Sequence, residues 1–115
     1  MTDYTKQICE ACRIDAPEVS MDETRFFLEN HTGWELSNDV EFKQLKKIFL
    51  FPNFAKAQEF SNKVGFLAEK EGHHPTILLE YGKVTVRWWS HKIKSLHKND
   101  LILSAKTDQI KKDLD

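Results

Sequence analysis

Five polar residues in the second half of the chain, Glu69, His73, His74, His91 and Asp100, are of types that move protons. A free imidazole titrates near ~6.5, so it gives or takes a proton at neutral pH, and a neighbouring carboxylate orients it. Each residue also has an ordinary structural use. A glutamate at a helix end is a solvated charge, an aspartate at a helix start answers the dipole, and adjacent histidines in a strand point to opposite faces. A loop at His73-His74 removes the last objection. Three imidazoles with an open fourth position are also a zinc arrangement, but the chain lacks H-E-x-x-H or a comparable ligand spacing. We therefore expect no metal site.

Other features carry weaker chemistry. Cys9 and Cys12 form a single CxxC, which is half a metal site, a redox pair or neither, and cannot supply the several bridges of a small secreted scaffold. Between Lys83 and Lys98 stand five Lys or Arg, no acid, and Trp88-Trp89. Alternation along a strand divides those charges between two faces, which fits a solvated edge or a subunit contact better than a nucleic-acid groove. The whole chain of 115 residues balances 17 basic against 18 acidic side chains for a net charge of −1, so its surface as a whole is not built for phosphate backbones, and only a local basic stripe stays open. Trp34, at a strand start after Gly33, can line a pocket as readily as fill a core.

The elements that must position these residues follow from periodicity. Residues 1–19 lack a hydrophobic repeat and contain Pro17, and read as an extended or mobile lead-in to one domain over residues 20–115. Ser20 with Glu23 fits a capping box, opening a helix over Met21–Asn30. Trp34 to Ser37 alternates as a short strand before the turn pair Asn38-Asp39. From Val40 to Phe51 the parity shifts around Lys46-Lys47, predicting a bulge or bend. Asn53 caps a second helix over Phe54–Glu71, whose Phe54, Ala57, Phe60, Val64, Leu67 and Ala68 recur every three or four residues. Gly72 then suits a left-handed helix end and Pro75 follows, which leaves His73 and His74 on a short loop.

Thr76 to Tyr81 and Val84 to His91 flank Gly82-Lys83, the spacing of a two-residue hairpin. Val84, Val86 and Trp88 share one strand face, and Thr85, Arg87, Trp89 and His91 the other. Leu101, Ile102, Ala105 and Ile110 mark a closing helix with Asp100 near its start. The order α-β-β-α-β-β-α predicts an α+β fold, a four-stranded antiparallel sheet with helices packed on one face. Met1 to Lys6 has no apolar signal core, and the longest strongly apolar run, Ile48 to Phe51, is far short of a bilayer span of ~20 residues, so a soluble, cytoplasmic protein is expected.

The pattern Glu69-x3-His73-His74-Pro75-x5-Tyr81-x9-His91-x8-Asp100 resembles the signature of the pterin-4a-carbinolamine dehydratases. Gly33-Trp34 and Phe42-Lys43-Gln44 extend the similarity over about Met21 to Ile110, and the Cys-Glu-Ala-Cys segment looks like bacterial members. The resemblance implies dehydration of 4a-hydroxytetrahydrobiopterin to quinonoid dihydrobiopterin, which recycles the cofactor of aromatic amino-acid hydroxylases, by a homodimer or homotetramer that itself uses no metal or redox cofactor. It implies His73 and His91 as proton exchangers, His74 as the group that binds and orients the pterin, Glu69 and Asp100 as carboxylates that orient imidazoles or hydrogen-bond the pterin, and Trp34 as a wall of the site. Asn99 stands where animal relatives carry Arg, so no contact of that Arg is transferred. Animal members also serve as coactivators that bind a homeodomain factor's dimerisation segment, which gives a second class, an interaction module. A third is another pterin, such as a molybdopterin-type compound, as substrate.

Overall fold

Alternation and capping divide the chain into elements whose apolar faces must meet. The computed structural model describes residues 3–6, 17–37 and 43–115. After a 3-10 turn at Tyr4–Lys6 come α1 (Met21–Asn30), β1 (Glu35–Ser37), β2 (Gln44–Leu50), α2 (Phe54–Glu71), β3 (Thr76–Glu80), β4 (Lys83–Trp88) and α3 (Lys98–Leu114). The predicted element order and α+β class are those observed. Cys9, Cys12, Asn38, Asp39, Val40 and Phe42 lie outside the described residues.

The strands form one antiparallel sheet in the order β1-β2-β4-β3. Because side chains alternate across a strand, Leu45, Phe49, Val84, Val86 and Trp88 enter the core with Phe60, Val64, Leu101 and Leu103, whereas Ile48, Leu50 and Leu78 stay exposed. The helices therefore cover one face only. Opposite rows are fixed by register: Trp88 faces Leu45, and Leu45 faces Leu36.

Two local expectations need correction. The parity shift at Lys46-Lys47 is not a bulge, since Leu45 to Leu50 pair without interruption with Trp88 to Lys83. Lys47 occupies a core-side position, and its ammonium donates to Asp108 Oδ1 at 2.7 Å and to the Thr32 carbonyl at 2.9 Å. A paired lysine at the core rim imitates a register slip in sequence. In the hairpin, Glu80 pairs with Lys83, so the two turn residues are Tyr81-Gly82 rather than Gly82-Lys83. Gly82 takes φ 67°, and its carbonyl accepts from Phe51 N at 2.8 Å.

The helix ends follow local chemistry. Ser20 Oγ accepts from Glu23 N at 3.1 Å. The Glu23 carboxylate accepts from Tyr4 Oη at 2.9 Å, and the buried Tyr4 ring stands edge-on to Phe27 and His31. Asn53 Oδ1 accepts from Lys56 N at 2.9 Å to open α2, and Gly72 at φ 65° closes it.

Candidate active site

The histidines converge because α2, the end of β4 and the start of α3 finish near one another. At the end of α2 the left-handed Gly72 turns the chain, and His73 N bonds back to Ala68 O at 3.2 Å. This helix-ending turn satisfies carbonyls that the last helical residues leave free. His73 and His74 follow directly, with Pro75 leading into β3. Past Trp88, Ser90 N donates to Ser95 O at 2.8 Å, closing a short loop that carries His91. β4 therefore ends at Trp88, short of the predicted His91. The loop turns where Lys94 takes φ 53°.

At the start of α3 the cap is a histidine. His97 Nδ1 accepts from Asn99 N at 3.0 Å, and Asp100 Oδ2 accepts from His97 N at 2.8 Å. The two bonds are reciprocal, as in a capping box. An Nδ1 that accepts carries no proton, so the imidazole is neutral when it caps.

Asp100 is fully buried, and its carboxylate is the hub of the site. Oδ1 accepts from His73 Nε2 at 2.7 Å, while Oδ2 accepts from Ser90 Oγ and from His97 N, each at 2.8 Å. A buried charge needs such compensation, because removing an ion from water is costly without hydrogen-bonded partners. His73, 4% exposed, lies parallel to the Trp88 indole at 8° with ring centroids 6.0 Å apart. Its position is thus set by a carboxylate at one edge and an aromatic plane beside it.

The other two imidazoles are open to solvent. His74 Nε2 donates to Glu69 Oε2 at 2.8 Å, and both side chains are well exposed. His91 Nε2 donates to the His74 carbonyl at 3.2 Å, and its ring stacks on Trp89 at 4.2 Å and 10°. A carbonyl or carboxylate acceptor requires a proton on the nitrogen it faces. All three rings therefore carry Nε2–H, which leaves Nδ1 as the basic nitrogen of each neutral imidazole.

Five of the six expected site residues, Glu69, His73, His74, His91 and Asp100, are linked in two arms that meet at the His73-His74 peptide. Trp34 is elsewhere: its buried indole donates to Asp108 Oδ2 at 2.9 Å and meets Phe49 edge-on. Asp108 is two turns beyond Asp100 on α3, about 12 Å along the helix axis. Sequence reading missed Ser90 and His97, and placed Trp89 only on the strand face it shares with His91. Ser90 sits beside a motif histidine with no signal of burial, and His97 is not among the usual capping types.

Two clefts lie away from this cluster. One, of about 460 Å³, runs along the outer face of α2 from Ala55 to Phe66. The other, of about 850 Å³, is bounded by Tyr4, His31, Lys47, Asp108 and Lys111. Neither includes a site histidine. Among the described residues no group of three or more His, Cys, Asp or Glu is arranged to hold a metal ion, and no helix is long and apolar enough to cross a membrane.

A model of the pterin 4 alpha carbinolamine dehydratase family matches residues 17–110. A protein of Nitrosococcus oceani named "Putative pterin-4-alpha-carbinolamine dehydratase" is 55% identical over 112 residues, covering 97% of this chain and 99% of its own. A protein of the same name from Marinobacter nauticus is 51% identical over 110 residues, covering 96% and 99%. Among solved structures, a transcriptional coactivator/pterin dehydratase from Brucella melitensis shares the fold, with a TM-score of 0.74 at 24% identity over 82% of this chain and 98% of the other. A pterin dehydratase-like protein identified as a RuBisCO assembly factor in the alpha-carboxysome matches with a TM-score of 0.58 at 21% identity, over 70% and 90%.

Proposed function

The chain belongs to the pterin 4 alpha carbinolamine dehydratase family, and from that premise we propose that it dehydrates 4a-hydroxytetrahydrobiopterin to quinonoid dihydrobiopterin by histidine acid-base catalysis. The observation that carries the reading is the His73–Asp100 pair at 2.7 Å, beside two solvent-facing imidazoles that share the His74 peptide. A histidine whose far nitrogen is held by a carboxylate has a fixed tautomer and a defined basic edge.

The reaction needs little else. As the C4a–O bond breaks, one proton must reach the departing hydroxyl to make water, a ring-nitrogen lone pair fills the vacated bond, and a ring nitrogen gives up a proton. The balance is one proton in and one out, so a pair of imidazoles suffices. In this proposal neutral His73 takes the ring-nitrogen proton at Nδ1, while His91, as the imidazolium, gives its Nδ1 proton to the departing hydroxyl. His74, steadied by Glu69, hydrogen-bonds and orients the pterin, and Asp100 holds the tautomer of His73. With 4% exposure, His73 offers substrate only a ring edge, whereas His91 and His74 offer more. The proposal assigns Trp34 no step: its indole N–H bonds Asp108, two turns along α3 from Asp100.

The same reading carries a cytoplasmic homodimer or homotetramer that serves an aromatic amino-acid hydroxylase. Exposed Phe66 on α2 and Leu50 and Leu78 on the open sheet face, each more than half exposed, support self-association. Light scattering in solution tests it.

The decisive experiment is stopped-flow decay of chemically generated 4a-hydroxytetrahydropterin with wild type, His73→Ala, His91→Ala and chelator-treated protein. Acceleration that survives chelation and is lost in folded histidine variants is the expected result. A wild-type protein that leaves the spontaneous rate unchanged refutes the dehydratase reading for this substrate and favours a binding module or another pterin.

A further inference from the structure

We infer that Ser90 is a positioning residue of the site: its buried hydroxyl locks the Asp100 carboxylate in the rotation that presents Oδ1 to His73, and thereby fixes the tautomer that catalysis uses. The inference rests on the dehydratase reading for its kinetic part only. It stands on the geometry around one carboxylate.

Ser90 is 1% exposed, and its Oγ lies 2.8 Å from Asp100 Oδ2. That oxygen also accepts from His97 N at 2.8 Å, so one carboxylate oxygen takes two protein donors while the other is left for His73 Nε2 at 2.7 Å. The torsion that spins a carboxylate is soft and broad. With the backbone N–H of His97 alone, either oxygen or an intermediate rotation would satisfy the carboxylate. Two converging donors on Oδ2, from different elements, define both the plane and the oxygen. Ser90 comes from the β4 end and His97 from the α3 cap, so the rotation is held from two directions.

Ser90 also joins the arms of the site. Its backbone N–H bonds to Ser95 O at 2.8 Å and closes the loop that carries His91, the next residue. One residue thus holds the carboxylate behind His73 with its side chain and the loop beneath His91 with its backbone. A substitution confined to the side chain separates the two roles, because the backbone bond survives in Ser90→Ala.

The test compares wild type, Ser90→Ala and Ser90→Thr, which keeps the hydroxyl. Thermal unfolding first establishes that each variant is folded. In stopped-flow dehydration, Ser90→Ala should lower kcat about tenfold with KM within twofold, since the hydroxyl touches the base's partner and not the pterin. Ser90→Thr should recover most of that loss. In ¹H–¹⁵N spectra of the imidazoles, wild type should show a low-field His73 Nε2–H protected from water, and Ser90→Ala should show that signal moved and exchanging at least fivefold faster. If Ser90→Thr does not fold, the Ala variant and the spectra decide. An Ala variant whose His73 signal and kcat match wild type overturns the inference. Wild type without turnover refutes the dehydratase reading, while the His73 spectra still decide whether Ser90 sets the carboxylate.

Discussion

Asp100 allows the site's energetics to be separated from its chemistry with two substitutions. In Asp100→Ala three donors, His73 Nε2–H, Ser90 Oγ–H and His97 N–H, lose a common acceptor in a place sealed from water. A buried donor without a partner costs about 1–3 kcal/mol, so three cost about 3–9 kcal/mol, comparable with the ~5–15 kcal/mol that holds a domain folded. Asp100→Asn keeps the shape. Its amide oxygen can retain Ser90 and His97, but its NH₂ then faces His73 Nε2–H, donor against donor. Moving the His73 proton to Nδ1 relieves the conflict. Charge assistance is worth about 1 kcal/mol for each bond, and relief of the buried charge offsets part of that loss, so a cost of about 1–3 kcal/mol is expected. The rate should nevertheless collapse, because the wrong tautomer protonates the basic edge, and a positioned proton-transfer group contributes about 10²–10⁴-fold. Urea unfolding measures the first effect, stopped-flow dehydration the second and imidazole ¹⁵N shifts the tautomer. Equal destabilisation by the two variants, or an Asn variant that turns over within threefold of wild type with His73 still protonated at Nε2, refutes the reasoning.

Three further outcomes follow from other parts of the molecule. Trp34→Phe removes the indole N–H that Asp108 accepts, so stability should fall by about 1–2 kcal/mol in urea titration while kcat stays within twofold of wild type. Gly82→Ala should destabilise more than Gly72→Ala: both sit at positive φ, where a Cβ costs about 1–2 kcal/mol, but at Gly82 it would also meet the Phe51 carbonyl at 2.9 Å, whereas Gly72 faces open space. Comparing their urea midpoints tests this. Burial, and then the hydrogen bond to Glu23, hold the Tyr4 phenol well above its ordinary value of 10.0. The folded state therefore keeps a proton that the unfolded chain releases, and this contribution is intact below about pH 10 and declines as pH rises further. Thermal unfolding from pH 8 to 11 should show a steeper alkaline loss for wild type than for Tyr4→Phe, and parallel curves would contradict it.

Much of the architecture was legible because it is local. Ser20 and Asn53 carry their own capping oxygens, Gly72 its left-handed freedom, and the three-or-four repeat of α2 its buried stripe, so both helices begin and end where their sequences say. Residue type, together with the family resemblance that the stretch from Glu69 to Asp100 carries, singled out five polar residues that the fold links. Lys47 misled the reading of β2, because one side chain cannot reveal that its ammonium reaches Asp108, 61 residues away, and so permits a lysine on the core side. Tyr4 misled in the opposite sense: a polar, aperiodic N-terminus gives no hint that one phenol is buried against Phe27 and bound to Glu23. Trp34 was ambiguous until the position of α3 fixed it to Asp108.

The sequence by itself determined the element order, the loop that frees His73 and His74 from a strand, and the residue types able to carry protons, since each depends on a few neighbouring residues. Only the tertiary structure decided which histidine is enclosed and which are open, that Asp100 serves His73, and that Ser90 and His97 complete its carboxylate. Those relations join the ends of α2, β4 and α3. They are set by where packed helices and a twisted sheet bring distant backbone ends together, a consequence of the whole core.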